Sequence, residues 1–166
     1  MIPSMETYIK LVLNSLHMSP EELIFTKYVL SAIIGFLVGL TRKKNPAGER
    51  TFALICLGSC IFASISIMSF NGQADPTRII GQIVSGIGFL GLGVIWKNSS
   101  SNKPRGLTTA AGVWVTAALG VLIGIEMWKE AIIGTIITML VIYYNGPRAA
   151  KIDIKKITKN HNIKRI

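Results

Sequence analysis

The chain has 166 residues, of which half are hydrophobic and 16% are charged, and its formal net charge is +10. In a soluble domain this charge would suggest a nucleic-acid partner. Here the charged residues are confined to short segments between long uncharged runs. The composition therefore excludes an ordinary soluble domain and predicts a membrane protein whose surroundings are the lipid bilayer, with no nucleic-acid partner.

Residues 1–18 contain a short amphipathic segment. Apolar Ile9 and Val12 fall on one helical face, whereas Glu6 and Lys10 are spaced to pair on another. The segment lacks the basic start and the unbroken apolar stretch of a signal peptide. We predict an interfacial helix that lies on the outer leaflet.

Five uncharged runs follow, each about the length that a helix needs to cross roughly 30 Å of hydrocarbon. They are residues 28–41, 51–70, 79–95, 106–125 and 131–147. The first run extends back to Glu22 if the Lys27 side chain snorkels to the interface. The predicted fold is all-α and integral to the membrane, with a bundle of five transmembrane helices over residues 19–147 and a basic cytoplasmic tail over 148–166.

Two helix starts have readable capping signals. Ser19, Pro20 and Glu22 fit the N-cap, N1 and N3 positions of a capping box at the start of the first span. Asp75 precedes the third span. It is either the N-cap of that helix or a contact for a cation or a partner on the outer side.

The basic residues are divided unevenly between the two sides of the membrane. Most of the 18 lie in the loops at 42–50 and 97–105 and in the tail after the last span. Cytoplasmic loops carry an excess of Lys and Arg. This bias predicts that the N-terminus is outside and the C-terminus is cytoplasmic.

The stretch Gly86-x-Gly88-x-x-Gly91 matches the dinucleotide fingerprint G-x-G-x-x-G. A nucleotide-binding loop needs a preceding strand, a helix after it and an acidic residue about 20 positions on. Here the motif lies inside an uncharged run, and basic residues occupy the later position. We therefore predict no nucleotide and no other cofactor, and interpret the glycines as helix-packing positions.

Small residues recur at helical spacing in three spans, and in membranes such residues let helix backbones approach closely. The predicted packing positions are Gly35 and Gly39 in the first span, Gly81, Ser85, Gly86, Gly88, Gly91 and Gly93 in the third, and Gly112, Gly120 and Gly124 in the fourth. Because the third span carries them on two faces, we predict that it is the central helix of the bundle. A homodimer through a glycine-rich face is also consistent with this pattern.

The span centres contain no charged residue, which disfavours an ion-coupled transporter. Cys56 and Cys60 are interpreted as small apolar residues on one helix face, without a metal site or a disulfide framework. The functional candidates therefore lie at the membrane edges. They are Asp75, Arg78, Glu49, Arg50, Arg105, Thr108 and Thr109. No convergent acid, base and nucleophile set accompanies them, so we predict that the protein is not an enzyme.

Three blocks of sequence together carry a family resemblance. They are "GFLVGLTRKKNPAGERTFALICLGS", "DPTRIIGQIVSGIGFLGLGVIW" and "RGLTTAAGVWVTAALGVLIG". In order and spacing they resemble the membrane domain of the MgtC/SapB family, in a short form that lacks the family's soluble C-terminal domain. At the end of the first span, where the family often has an acidic residue followed by Arg, this chain has Thr41 and Arg42.

The resemblance implies a five-span protein of the bacterial inner membrane that helps the cell cope with low magnesium, acid stress or life inside a host cell. It also implies action on a membrane partner, the F-type ATP synthase being one such partner. Our leading hypothesis is a non-enzymatic modulator, which we expect to be homo-oligomeric. The alternative is an oligomeric channel or transporter for Mg²⁺ or another small solute, with Asp75 at its mouth and Gln82 and the threonines along its lining.

Overall fold

The computed structural model describes residues 19–42, 47–68, 75, 77–97 and 106–144. Within these ranges the regular elements are five α-helices. They are α1 (Pro20–Leu40), α2 (Glu49–Met68), α3 (Thr77–Lys97), α4 (Leu107–Gly124) and α5 (Trp128–Tyr143). The predicted all-α bundle is thereby confirmed. The predicted interfacial helix and basic tail lie outside the described residues.

The first four helices are long and apolar enough to cross a membrane. Helix α5 has 16 residues, which corresponds to about 24 Å of helix. This is shorter than the roughly 30 Å of a hydrocarbon core. The fifth crossing, and with it the opposite placement of the two termini, therefore stays a prediction.

The predicted capping box at the start of α1 is confirmed. The Ser19 backbone N–H donates to Glu22 Oε2 at 2.7 Å, and the Glu22 backbone N–H donates to Ser19 Oγ at 3.3 Å. Pro20 occupies the first helical position, where its missing N–H would have no intrahelical partner. Local sequence spacing was enough to fix this helix start.

Helices α2 and α4 form the centre of the bundle. Helix α4 packs against each of the other four helices, and α2 packs most extensively against α1 and α4. Phe52 of α2 and Val113 and Ile123 of α4 are almost wholly buried in the apolar core. Consecutive helices run in opposite directions, so that the end of α1 lies against the start of α2 at Gly39 and Glu49.

Glycines close the two main seams of the bundle. A Cβ atom added at Gly35 of α1 would lie 2.7 Å from Cys56 Cβ of α2, and one at Gly124 of α4 would lie 2.7 Å from Ala63 Cβ of α2. A Cβ at Gly120 would overlap the backbone carbonyl of Cys56. The backbones of α1, α2 and α4 therefore approach one another as closely as small residues permit.

The prediction that the third span is central is wrong. Within its apolar stretch, Thr77–Ile95 of α3, only 11% is buried, compared with 39–50% for the corresponding stretches of α1, α2 and α4. A Cβ added at four of its predicted packing positions would meet nothing within 4 Å; these are Gly81, Gly86, Gly88 and Gly93. Of the five glycines of α3, Gly91 is the one where an added Cβ would meet α4, at 3.6 Å from Ala110 Cβ. Residue spacing shows that small residues share a face, but it does not say which helix will fill it.

A buried ion pair and an open groove as the candidate functional site

Lys27 of α1 and Glu126, in the turn between α4 and α5, form a buried ion pair. Lys27 Nζ lies 2.6 Å from Glu126 Oε1, and the two side chains are 9% and 8% exposed. The ammonium is also 3.5 Å from the carbonyl oxygen of Gly124, the last residue of α4. Because the carbonyl end of a helix is its negative pole, this position favours a cation.

The Lys27 side chain is thus held by a carboxylate in the turn between α4 and α5, at one end of the bundle. That it reaches the membrane interface stays a prediction. The signal that could have revealed the pair is the occurrence of a lone Lys in the first span and a lone Glu just after the fourth. By the predicted topology, both residues lie towards the outer side.

The Glu126 backbone has a left-handed conformation, with φ of 67°. Three backbone hydrogen bonds close the end of α4: the N–H groups of Ile125, Glu126 and Met127 donate to the carbonyls of Val121, Ile123 and Leu122, respectively. A positive φ at a non-glycine residue is strained and persists only where the surroundings enforce it. The second carboxylate oxygen of Glu126, Oε2, is buried without a hydrogen-bond partner. The carboxylate is therefore stabilised through Oε1, by its contact with Lys27.

Helix α2 contributes the third wall around the pair. Ser64 Oγ donates to the Gly124 carbonyl at 3.5 Å, and Cys60 Sγ lies 3.9 Å from the Lys27 carbonyl. Cys56 and Cys60 are both buried, and their thiols are free. The pair thus joins α1, α2 and α4 at one end of the bundle.

A groove of about 620 Å³ lies between α2 and α3. Its lining is mostly apolar and consists of Thr51, Leu54, Ile55, Gly58, Ser59 and Phe62 from α2 with Ile79, Gln82, Ile83, Gly86, Ile87 and Leu90 from α3. Gly58 of α2 and Gly86 of α3 both line the groove. Each leaves an open notch in its helix surface, because a Cβ added at either position would meet nothing within 4 Å. We call this feature the α2–α3 groove.

Asp75 caps the start of α3. Its Oδ1 accepts hydrogen bonds from the Thr77 hydroxyl at 2.7 Å and from the Thr77 backbone N–H at 2.8 Å. These two hydrogen bonds lower the pKa of Asp75 below its ordinary value. Of the two roles that the sequence left open, the geometry supplies the cap. Among the described residues no group of three or more His, Cys, Asp or Glu side chains could hold a metal ion.

The other edge candidates do not converge on one site. Arg78 is exposed near the start of α3, whereas Glu49 and Arg50 begin α2 at the opposite end of the bundle. Thr108 is exposed and Thr109 is 1% exposed near the start of α4. Arg105 lies outside the described residues.

Thr116, in the core-facing part of α4, is engaged within its own helix. The Thr116 hydroxyl donates to the Gly112 carbonyl at 2.8 Å, and the side chain is fully buried. This local bond satisfies the hydroxyl in an apolar interior. It leaves Thr116 without a free donor for a polar pathway through the bundle.

Long apolar helices that pack through glycine notches, with a neutralised ion pair at one end, define a polytopic α-helical membrane protein. Residues 28–149 match the model of the MgtC family, and the chain belongs to this family.

Several relatives share a large part of the chain. Protein SrpB of Synechococcus elongatus is 39% identical over 127 residues, 69% of this chain and 70% of the relative. The putative magnesium transporter YhiD of Escherichia coli is 38% identical over 70% of this chain and 57% of the relative. Protein MgtC of Salmonella typhimurium is 39% identical over 72% of this chain and 52% of the relative. The match thus spans little more than half of the latter two proteins. No solved structure is significantly similar to this chain.

Proposed function

We propose that this protein is a non-enzymatic component of the bacterial inner membrane that modulates a second membrane protein during adaptation to low magnesium. Membership of the MgtC family supports a role in the membrane. The name of the Escherichia coli relative, a putative magnesium transporter, supports the link to magnesium. The family resemblance extends the proposal to acid stress and to survival inside host cells.

The observation that carries the proposal is the open face of α3 beside the α2–α3 groove. Lipid chains are as apolar as the groove, so hydrophobicity alone would not favour a protein occupant. The notches at Gly58 and Gly86 would let another helix backbone approach closely, whereas an acyl chain has no need of them. The Gln82 amide also lines the groove. An amide in hydrocarbon requires a hydrogen-bond partner, which a second helix can supply.

The family resemblance implies the F-type ATP synthase as one such partner, and we propose that one of its helices occupies the α2–α3 groove. A second copy of this chain would compete for the same surface, because Gln82 and the glycines are uncharged and self-complementary. In that case the homo-oligomer and the complex with the partner would be alternative states of one face.

The second candidate is an oligomeric magnesium channel or transporter, and the name of the Escherichia coli relative favours it. The geometry of the described residues supports it less well. Lys27 and Glu126 neutralise each other, Thr116 is bonded within its helix, and the Asp75 carboxylate caps α3.

The test uses two glycines of α3 that differ in one respect. Gly86 lines the α2–α3 groove and Gly93 does not, although a Cβ at either position meets nothing within 4 Å. In a strain that lacks the native gene, Gly86→Leu should abolish the rescue of growth at limiting magnesium, because the new side chain fills the groove. Gly93→Leu should rescue like the wild type, with both variants present in the membrane in equal amounts.

Purified wild-type protein in liposomes distinguishes the two candidates. We expect Mg²⁺ uptake no faster than in empty liposomes. Robust uptake that is lost in Asp75→Ala would establish the transporter instead. In the growth assay, full rescue by Gly86→Leu would refute the groove as the functional surface.

A further inference from the structure

Arg42 lies two residues beyond the end of α1, and part of its guanidinium group is buried without a partner. Both Nε and Nη2 are inaccessible to solvent and make no hydrogen bond. Burial also lowers the pKa of Arg42. Two unpaired donors on a charged group are costly to bury. An acceptor that is not part of the structure is therefore expected at this position.

The geometry of the unpaired atoms indicates what kind of acceptor fits. Nε–H and one Nη2–H point in parallel from the same edge of the planar guanidinium. This edge matches two oxygens of a single oxyanion, as in bidentate Arg–phosphate pairs. Both nitrogens of the edge are unpaired together, so one bidentate ligand would give each of them a partner.

The neighbouring carboxylate does not fill this role. Glu49 begins α2 and lies in direct contact with Gly39. Gly39 precedes Arg42 by three residues. Among the described residues, however, the ion pair is that of Lys27 and Glu126, and none joins Glu49 to Arg42. The obvious acceptor within the described part of the chain is therefore not used.

Backbone hydrogen bonds hold Arg42 at the end of α1. The Arg42 N–H donates to the Gly39 carbonyl at 2.8 Å, and the Thr41 N–H donates to the Val38 carbonyl at 3.2 Å. These bonds continue the last turn of α1, whose 21 residues span about 31 Å. This length matches that of a hydrocarbon core, so we expect the end of a membrane-spanning α1 to lie near the phosphate groups of the headgroups.

We propose that the Nε–Nη2 edge of Arg42 binds a phosphate oxyanion at the end of the bundle where α1 ends and α2 begins. A phospholipid headgroup and free phosphate offer the same chemistry. This site is separate from the α2–α3 groove and does not depend on the proposed function.

The test compares wild type, Arg42→Lys and Arg50→Lys. Arg42→Lys keeps the positive charge but removes the bidentate edge, and Arg50→Lys is the matched control, because Arg50 is exposed at the start of α2. Thermal unfolding of delipidated protein in detergent is followed while either inorganic phosphate or phosphatidylglycerol is added. Chloride at equal ionic strength and diacylglycerol with the same acyl chains serve as control additions.

We expect the wild type and Arg50→Lys to be stabilised equally, and Arg42→Lys to bind the ligand about tenfold more weakly. Stabilisation by phosphatidylglycerol alone identifies the headgroup as the source, and stabilisation by inorganic phosphate identifies the free ion. An equal response of all three proteins overturns the proposal, as does stabilisation no greater than that produced by chloride and diacylglycerol.

A second measurement does not depend on the folding of a variant. Native mass spectrometry of the wild type should show one tightly retained phosphate-bearing ligand per chain. The absence of such a ligand at saturating phosphatidylglycerol and phosphate would also overturn the proposal.

Discussion

Lys27 and Glu126 each carry a charge that would be expensive to bury alone, and their 2.6 Å contact is what makes the burial tolerable. The contact also fixes a strained residue, because Glu126 has a positive φ. At the scale of single residues, this pair ties the end of α4 to α1.

Removing both partners should therefore cost less than the sum of the two single removals. We expect Lys27→Met to lower the free energy of unfolding by about 3 kcal/mol, because it leaves a buried carboxylate without a counter-charge. The double variant Lys27→Met/Glu126→Gln should lose clearly less than the sum of the two single losses. Equilibrium unfolding in detergent, analysed as a double-mutant cycle, measures the difference.

Lys129→Met is the control for the loss of a lysine at the same end, because Lys129 is exposed. It should change stability by less than about 0.5 kcal/mol. Strictly additive effects of the Lys27 and Glu126 substitutions would show that the pair contributes no coupling.

The pair also shows where sequence reasoning reaches its limit. The Ser19 capping box was predictable because its partners are three residues apart and obey a local rule. Lys27 and Glu126 are 99 residues apart, and their contact depends on how α1 and α4 pack. No local rule could have chosen this contact over a lysine that snorkels.

The Asp75 cap predicts that the stability of the start of α3 depends on pH. Its pKa is lowered in the folded protein by the hydrogen bonds from Thr77. Its stabilising contribution is therefore present above the unfolded-state pKa and is lost as the pH falls through the folded-state pKa. Protection of the Thr77 amide from hydrogen exchange, corrected for the intrinsic rate, should decline in the wild type below about pH 4.

Asp75→Asn provides the matched comparison, because Asn is an equally good N-cap but does not titrate. Its Thr77 protection should stay constant over the same pH range, and Asp75→Ala should lose protection at every pH. Wild-type protection that does not change on acidification would contradict the capping role.

At the scale of helices, the two sets of glycines have different roles. Gly120 packs against the α2 backbone, whereas Gly93 of α3 has free space around it. We therefore expect Gly120→Ala to lower the free energy of unfolding by about 1–3 kcal/mol, since the added methyl group forces α2 and α4 apart. Gly93→Ala should be neutral or slightly stabilising, because Ala favours helix.

Thermal unfolding of both variants in the same detergent measures this contrast. Equal effects at the two positions would contradict the packing described for α2 and α4.

The structure also revises the sequence-based expectation that Gly88 is a helix-packing position. Because nothing lies within 4 Å of a Cβ there, a larger side chain at Gly88 should leave the stability of the single bundle unchanged.

The helices themselves were predictable because uncharged runs and capping residues are properties of contiguous sequence. The position of α3 was not. Its mean hydropathy is close to that of α4, and both helices carry several glycines, although α4 lies at the centre and α3 at the edge. The difference depends on which helix packs against each face of α3 and α4. The spacing of small residues in the sequence does not identify that neighbouring helix.

At the scale of the whole molecule, the bundle is tightly closed along α1, α2 and α4 and open beside α3. Family membership agrees with the long apolar helices. The central claim of our account is that the open side, the α2–α3 groove, receives a helix of another membrane protein.

Photo-crosslinking in native membranes tests this claim most directly. A photoreactive residue is placed either at Leu90, which lines the groove, or at Leu92, two positions further along the same helix and outside the groove. Both side chains are more than half exposed, so lipid is equally accessible to them. We expect a discrete adduct with a second membrane protein from Leu90 and none from Leu92. Equal adducts at both positions, or lipid adducts alone at Leu90, would contradict it.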